Sequence, residues 1–280
     1  MDDLLKNIDK YSLQVKNVQI ALRNIAKLEP DPNKRLIVLE KEIKKIEKFL
    51  SEHQTYEEIP ASLSTFLEEV TKEKDMIDRS IKMQFGSQLN TLLQEKGFKL
   101  EGNYPVYHAS LFTIKVDFLL KKVEIFFGPE FESLAKCKTI PDDVAKALIE
   151  EYEKITQRSL NDEGYLDQLL EAYRIALLQL KLPFGNEIPI SELNSALTFI
   201  LQPKKYRQNP KKATYTEYDR VLLSFDLSRL KSRRTENYEL KLISATRAQT
   251  RNRYDFIWIP NGTSSMEGEV ISGVKFIEVV

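Results

Sequence analysis

The chain has 280 residues, 42% of them hydrophobic and 30% charged, and its 42 Lys and Arg balance its 42 Asp and Glu. This composition is typical of folded globular domains and excludes long disordered segments. Cys137 is the only cysteine, which excludes an intrachain disulfide, and with only two histidines besides we expect no metal site. No apolar run approaches the roughly 18 residues of a membrane span, and no signal-peptide core is present. We therefore expect a cytoplasmic protein without a membrane partner.

Charge is distributed unevenly along the sequence. Residues 204–253 contain fourteen Lys and Arg but five Asp and Glu, a net charge of +9, so the remaining residues carry −9. A one-sided charge of this size indicates a surface that meets polyanions or docks on an acidic protein. An ordinary solvated face is the alternative.

The first hundred residues have the apolar spacing of amphipathic helices. One helix is predicted over 2–28, and a second follows Asp31 and Pro32, which suit the N-cap and first helical positions. A third helix is predicted to end at Gly97. We expect domain 1–100 to be a helical bundle or helical hairpin that either packs only on itself or contacts a protein partner.

The middle segment, 101–202, changes to β periodicity before helices return. β-Branched and aromatic residues over 106–118 and 123–127 predict a β-hairpin. Three further helices are predicted: after Pro141, across 166–180 and from Ser191.

The last segment, 203–280, is predicted to be an antiparallel β-rich region, which makes the fold class α+β. Its candidate strands are 220–226, 238–244, 254–259 and 269–279. Helices followed by a hairpin with a charged tip resemble the order of elements in a winged helix, in which the wing touches the nucleic-acid backbone.

Three basic clusters, at 204–212, 229–234 and 247–253, flank the strands predicted at 220–226 and 238–244. We expect them to converge on one exposed surface. Arg interleaved with Ser, Thr, Asn and Gln is the side-chain inventory that contacts phosphates and sugars. The predicted nucleic-acid-binding residues are Lys204, Lys205, Arg207, Lys211, Lys212, Arg229, Lys231, Arg233, Arg234, Arg247, Arg251 and Arg253. Aromatic rings among these cations can stack on bases, and the candidates are Tyr206, Tyr215 and Tyr218.

The same window contains an enzyme-like pattern. Magnesium-dependent nucleases of the PD-(D/E)xK type place one acid at the end of a strand and an acid with a lysine on the next. The acids hold the metal and the lysine aids the attacking water. Asp226 followed by Glu239-Leu240-Lys241 resembles this pattern over four residues. The resemblance implies a nuclease with Mg²⁺ as cofactor, whereas an ion pair between Glu239 and Lys241 is the alternative and needs no cofactor.

Other side chains of reactive types have ordinary interpretations. His108 lies in a β pattern and is expected to be a satisfied or exposed strand histidine, and His53 lies near a predicted helix end. Cys137 lies between Lys136 and Lys138, whose charges are expected to lower the pKa of its thiol.

Taken together, these patterns predict a non-catalytic nucleic-acid-binding adaptor subunit of a larger intracellular complex. Its basic C-terminal surface would bind the phosphate backbone, and its helical N-terminus would contact a protein partner, such as an ATPase or nuclease of a bacterial defence or mobile-element system. The alternatives are a metal-dependent nuclease of the PD-(D/E)xK kind and a pure protein scaffold.

Overall fold

The computed structural model describes residues 2–52, 61–157, 160–262 and 266–279. The chain divides into two compact units, Met1–Gln88 and Leu89–Val280. N-terminal helices precede an antiparallel sheet with helices, and C-terminal antiparallel strands follow, which confirms the predicted α+β class. The three-domain division at 1–100, 101–202 and 203–280 stays a prediction.

The first unit is built from helices, as predicted. They are α1 (Asp2–Ala26), α2 (Pro32–Glu52) and α3 (Ala61–Gln94), whose last residues belong to the second unit. Asp31 caps α2, because its carboxylate accepts hydrogen bonds from the backbone N–H groups of Asn33 and Lys34 at 2.9 and 3.3 Å. All three helices contribute to the core of this unit, which contains Ala21, Ile25, Leu39, Ile43, Ile46 and Val70.

The second unit begins with a five-stranded antiparallel meander. Its strands are β1 (Leu100–Asn103), β2 (Val106–Ala109), β3 (Phe112–Asp117), β4 (Lys122–Phe127) and β5 (Glu132–Lys138). The predicted hairpin is present as β3 and β4, which pair from Phe112 opposite Phe127 onward. The run 106–118 forms two strands, because Ser110 has a φ of 54° and turns the chain between them.

Helices return after the meander, as predicted. They are α4 (Pro141–Thr156), α5 (Asp162–Leu180) and α6 (Ile190–Ile200), and the short strand β6 (Ile188–Pro189) leads into α6. α5 and α6 pack on the C-terminal strands around a core that includes Leu169, Tyr173, Leu193, Leu197, Val274 and Phe276.

The C-terminal sheet is organised around one long strand. Its strands are β7 (Tyr238–Ser244), β8 (Ile257–Pro260) and β9 (Gly268–Glu278). β9 lies between β6 and β7, and β8 also pairs with it. The strands predicted over 238–244, 254–259 and 269–279 are therefore confirmed to within a few residues.

The strand predicted over 220–226 is wrong, because Arg220–Arg229 form a helix, α8. Asp219 caps this helix by accepting a hydrogen bond from the N–H of Leu222 at 2.9 Å. Six of the ten residues of α8 are buried and none is exposed, and a short apolar run of this kind does not reveal whether it is helix or strand. β7 consequently pairs with β9, and the charged hairpin tip that resembled a winged helix does not form.

Candidate nucleic-acid interface

Residues 203–215 form an exposed segment that we call the basic loop. It contains five Lys and Arg and no Asp or Glu, which gives a formal charge of +5. All five cationic side chains are exposed, and none pairs with a carboxylate in the described part of the chain. They are Lys204, Lys205, Arg207, Lys211 and Lys212. The positive charge of this loop is therefore presented to solvent.

The side chain of Gln202, which is 2% exposed, joins the two ends of the basic loop. Its Oε1 accepts a hydrogen bond from the N–H of Thr216 at 2.9 Å. Its Nε2 donates to the carbonyl oxygens of Thr198 and Thr216, each at 2.8 Å. The hydroxyl of Thr198 also donates to the carbonyl of Tyr218 at 3.0 Å. A loop whose ends are held together in this way has less conformational freedom to lose when it binds.

Short helical turns order the interior of the basic loop. The first, α7 (Lys204–Gln208), begins after Pro203, whose carbonyl accepts the N–H of Tyr206 at 2.9 Å. A 3₁₀ turn follows at Lys212–Thr214. The rings of Tyr206 and Tyr215 then meet with centroids 5.6 Å apart and planes at 61°. This contact links the first half of the loop to the second.

Two predicted cations that follow the basic loop are neutralised by nearby carboxylates. Arg229, the last residue of α8, pairs with Asp226 one turn earlier. Arg234 pairs with Glu239 at 3.3 Å. The other predicted cations of this stretch, both exposed, are Lys231 and Arg233.

The third predicted cluster lies on the connection between β7 and β8. Arg253 lies 3.7 Å from Glu132 of β5, which also pairs with Arg220 at 3.0 Å. Burial raises the pKa of Glu132, and the two guanidinium groups oppose that rise without cancelling it. The same guanidinium groups lie over the ring of Tyr254, at 5.7 Å for Arg220 and 5.1 Å for Arg253. The other cations of the cluster, both exposed, are Arg247 and Arg251.

The convergence of the three basic clusters on one exposed surface stays a prediction. Arg220 and Arg229 are the first and last residues of α8, and nine residue steps of helix separate them by about 13 Å. The cluster at 229–234 follows one end of α8, and the cluster at 247–253 meets the other. Among the described residues, the basic loop is the cluster whose cations are all exposed and without carboxylate partners.

The residues of the nuclease pattern lie on different kinds of element. Asp226 is 1% exposed and lies on a helix, where its carboxylate pairs with Arg229 and accepts a hydrogen bond from the hydroxyl of Tyr218 at 3.1 Å. Glu239 and Lys241 lie on β7 and form an ion pair at 2.5 Å. In the described residues, no group of three His, Cys, Asp or Glu side chains is placed to hold a metal ion. The nuclease pattern requires its first acid at the end of a strand. Asp226 instead lies on a helix, where its carboxylate is buried and paired with Arg229.

His108 lines a cleft of about 790 Å³ on the second unit. Its Nδ1 lies 3.2 Å from the hydroxyl oxygen of Thr113, whose own proton is donated to the carbonyl of Gly128 at 2.7 Å. The histidine therefore donates from Nδ1, and in the neutral ring Nε2 carries the lone pair. This is the hydrogen-bonded strand histidine that the sequence predicts.

The expected lowering of the Cys137 pKa is wrong, because burial raises the pKa of this thiol. Neighbouring residues of a strand point to opposite faces, so Lys136 and Lys138 do not share the face of Cys137. Lys136 instead pairs with Glu124 at 3.2 Å. His53 lies outside the described residues.

Two residues that organise this region were not singled out from the sequence. Asp219 had a usable signal, since a short acidic residue directly before an apolar run is typical of a helix N-cap. Gln202 had no such signal in the sequence, because its partner Thr216 is fourteen residues away and only the folded chain brings them together.

Comparison of the chain with protein-family models, with curated proteins and with solved structures gave no match. None of the helices in the described residues combines the length and the apolar composition that crossing a membrane requires.

Proposed function

We propose that the chain is a non-catalytic adaptor that binds nucleic acid through the basic loop, residues 203–215. The observation that carries this proposal is a charge of +5 on thirteen consecutive residues without an acid, all five cations being exposed and unpaired in the described part of the chain. Nucleic acids present a regular row of phosphates, and each phosphate neutralised by Lys or Arg releases counterions. The closed base of the loop keeps these cations together before binding.

Anionic membranes and acidic proteins also attract positive charge, but the composition of the loop favours nucleic acid. The loop contains no Leu, Ile, Val, Phe, Trp or Met, the residues that insert into a membrane interface. It does contain side chains that contact phosphate and sugar oxygens in nucleic-acid complexes, namely Gln208, Asn209 and Thr214.

The adaptor role adds a protein partner, which we assign to the helical first unit. α1 exposes several large apolar side chains over at least two fifths of their surface: Leu5, Ile8, Leu13 and Ile20. Exposed apolar side chains concentrated on one helix favour contact with another protein. The proposal includes a cytoplasmic location and a partner enzyme that acts on nucleic acid, such as the ATPase or nuclease of a defence system.

The proposal is tested by fluorescence anisotropy with labelled DNA and RNA, single-stranded and duplex, between about 50 and 200 mM salt. The wild-type chain is expected to bind with an affinity that falls steeply with salt. If all five cations of the loop engage phosphates, the slope of log K against log salt is about −3.5 for single strands and −4.5 for duplex. Lys211→Glu with Lys212→Glu is expected to lower affinity at least about tenfold at the low-salt end.

The matched control is Lys10→Glu with Lys16→Glu, which makes the same change in net charge on exposed residues of α1. These two variants are expected to differ in nucleic-acid binding although their net charge is the same. Equal losses would show that net charge and not the basic loop governs binding. Binding of anionic phospholipid vesicles instead of nucleic acid, or capture of an acidic protein alone, would overturn the proposal.

A further inference from the structure

The three tyrosines among the predicted cations have different surroundings. Tyr218 is 3% exposed, and its hydroxyl lies 2.6 Å from that of Tyr165 and 3.1 Å from the carboxylate of Asp226, so it belongs to the core. Tyr206 is half-buried. Tyr215 is 45% exposed. The basic loop therefore presents one well-exposed aromatic ring, at its C-terminal end.

We infer that the basic loop binds single-stranded nucleic acid, with the ring of Tyr215 stacked on a base while the neighbouring lysines hold phosphates. This inference rests on the proposed function and specifies its ligand. In a duplex the faces of the bases are stacked and paired, whereas a single strand can place a base face against an aromatic ring. A positively charged segment with an exposed ring is the combination that proteins use for single strands.

The contacts of Tyr215 hold its ring in position without covering it. Tyr206 meets it at an angle of 61°, and such a contact covers at most one of the two faces of the ring. The backbone N–H of Tyr215 donates to the carbonyl of Lys212 at 3.3 Å, which ties it to the 3₁₀ turn that carries Lys212. A ring oriented before binding loses little rotational freedom when a base stacks on it.

Tyr254 provides a matched comparison within the same unit. It is 60% exposed, more than Tyr215, and also lies among arginines. Two guanidinium groups already lie over its ring, at 5.7 Å for Arg220 and 5.1 Å for Arg253. A base would have to displace these cation–π contacts, so exposure by itself does not make Tyr254 a stacking site.

The experiment compares Tyr215→Ala, Tyr215→Phe and Tyr254→Ala in anisotropy titrations with a single-stranded DNA, a single-stranded RNA and a duplex of matched length. Tyr215→Ala is expected to weaken binding of the tighter-binding single strand by roughly 5- to 100-fold, the range that corresponds to one base stacked on an aromatic ring. Its duplex affinity and salt slope are expected to stay unchanged, because no cation is removed. Tyr215→Phe keeps the ring and is expected to restore binding, and Tyr254→Ala is expected to bind like the wild type.

Urea unfolding of each variant checks that it is folded, since Tyr215→Ala also removes the ring contact with Tyr206. If the wild type binds duplex as tightly as single strands and Tyr215→Ala changes neither, the stacking inference is overturned while the proposed function stands. A loss of binding in Tyr215→Phe equal to that in Tyr215→Ala would also overturn it. If no nucleic acid binds at all, the proposed function itself fails.

Discussion

The basic loop and the segment 226–241 each contain five Lys and Arg, yet they use this charge differently. In the basic loop every cation is exposed and unpaired with carboxylates, in the part of the chain that the structure describes. In 226–241, Asp226 pairs with Arg229, and Glu239 pairs with Arg234 and Lys241. The basic loop presents all five of its cations to solvent, whereas the segment 226–241 places three of its five in ion pairs with its own carboxylates.

Local spacing accounts for this difference. Residues three apart on a helix are neighbours, which brings Arg229 to Asp226. Residues two apart on a strand share a face, which brings Lys241 to Glu239. The basic loop has no acid at any spacing. A count of Lys and Arg along a sequence therefore overstates the positive charge at a surface in two cases. On a helix, an acid three residues from a cation can pair with it, and on a strand an acid two residues away can do so.

The largest effect that can test this comparison is expected from Asp226→Ala. The carboxylate of Asp226 is buried, and its removal leaves the guanidinium of Arg229, 17% exposed, without this partner. Breaking a buried ion pair costs roughly 3 to 5 kcal/mol of unfolding free energy, which urea denaturation measures. A variant that also carries Arg229→Met is expected to recover part of the loss. A stable Asp226→Ala chain would show that this charge is not consumed in the fold.

A smaller loss of stability is expected from Gln202→Leu, which removes the hydrogen bonds that close the basic loop while all five cations stay in place. The polar backbone groups of Thr216 lose their partner, at a cost of about 2 kcal/mol. Nucleic-acid affinity is expected to fall with an unchanged salt slope, because the same phosphates are contacted by a less ordered loop. Gln179→Leu, an exposed glutamine on α5 and outside the basic loop, is the control and should change neither quantity. Equal behaviour of the two variants would mean that Gln202 does not organise the loop.

The smallest effect is expected from Glu239→Gln, which should make the segment 226–241 more like the basic loop. The change frees Arg234 and Lys241 from their shared carboxylate. Nucleic-acid affinity is expected to rise about two- to threefold, with a salt slope steeper by up to about one unit. Glu236→Gln, which removes an exposed acid that forms no ion pair in the described residues, controls for net charge. An equal gain in both variants would show that pairing is irrelevant.

The pH dependence of this last effect follows from the pKa of Glu239. The hydrogen bond from Lys241 lowers this pKa below its ordinary value near 4.5, with the charge of Arg234 acting in the same direction and partial burial opposing both. Because the folded-state pKa is the lower one, the pairing stabilises the fold above about pH 4.5 and is lost as the pH falls through the folded value. The difference in affinity between wild type and Glu239→Gln should therefore persist from pH 7 to about pH 5. Its disappearance within that range would contradict the assigned pairing.

Much of the fold was predictable because its signals are local. The N-cap at Asp31, the alternation of β3, β4 and β7 and the proline that begins α4 all follow from a few neighbouring residues. The spacing of apolar residues predicted a strand over 220–226, where the chain forms the helix α8. Burial around this helix removes the periodicity that separates helix from strand. The spacing also missed β1 and β5, whose exposed or half-buried residues show no strong alternation of apolar side chains.

For the candidate site, the order of residues is enough to show that 203–215 is a run of cations without acids and that tyrosines lie within and beside it. Tertiary structure alone decided that Tyr218 is buried and Tyr215 exposed, and that Gln202 closes the loop on Thr216. The reason is physical: charge and side-chain type belong to each residue, whereas burial and hydrogen bonds between distant residues depend on how α5, α6 and α8 pack together.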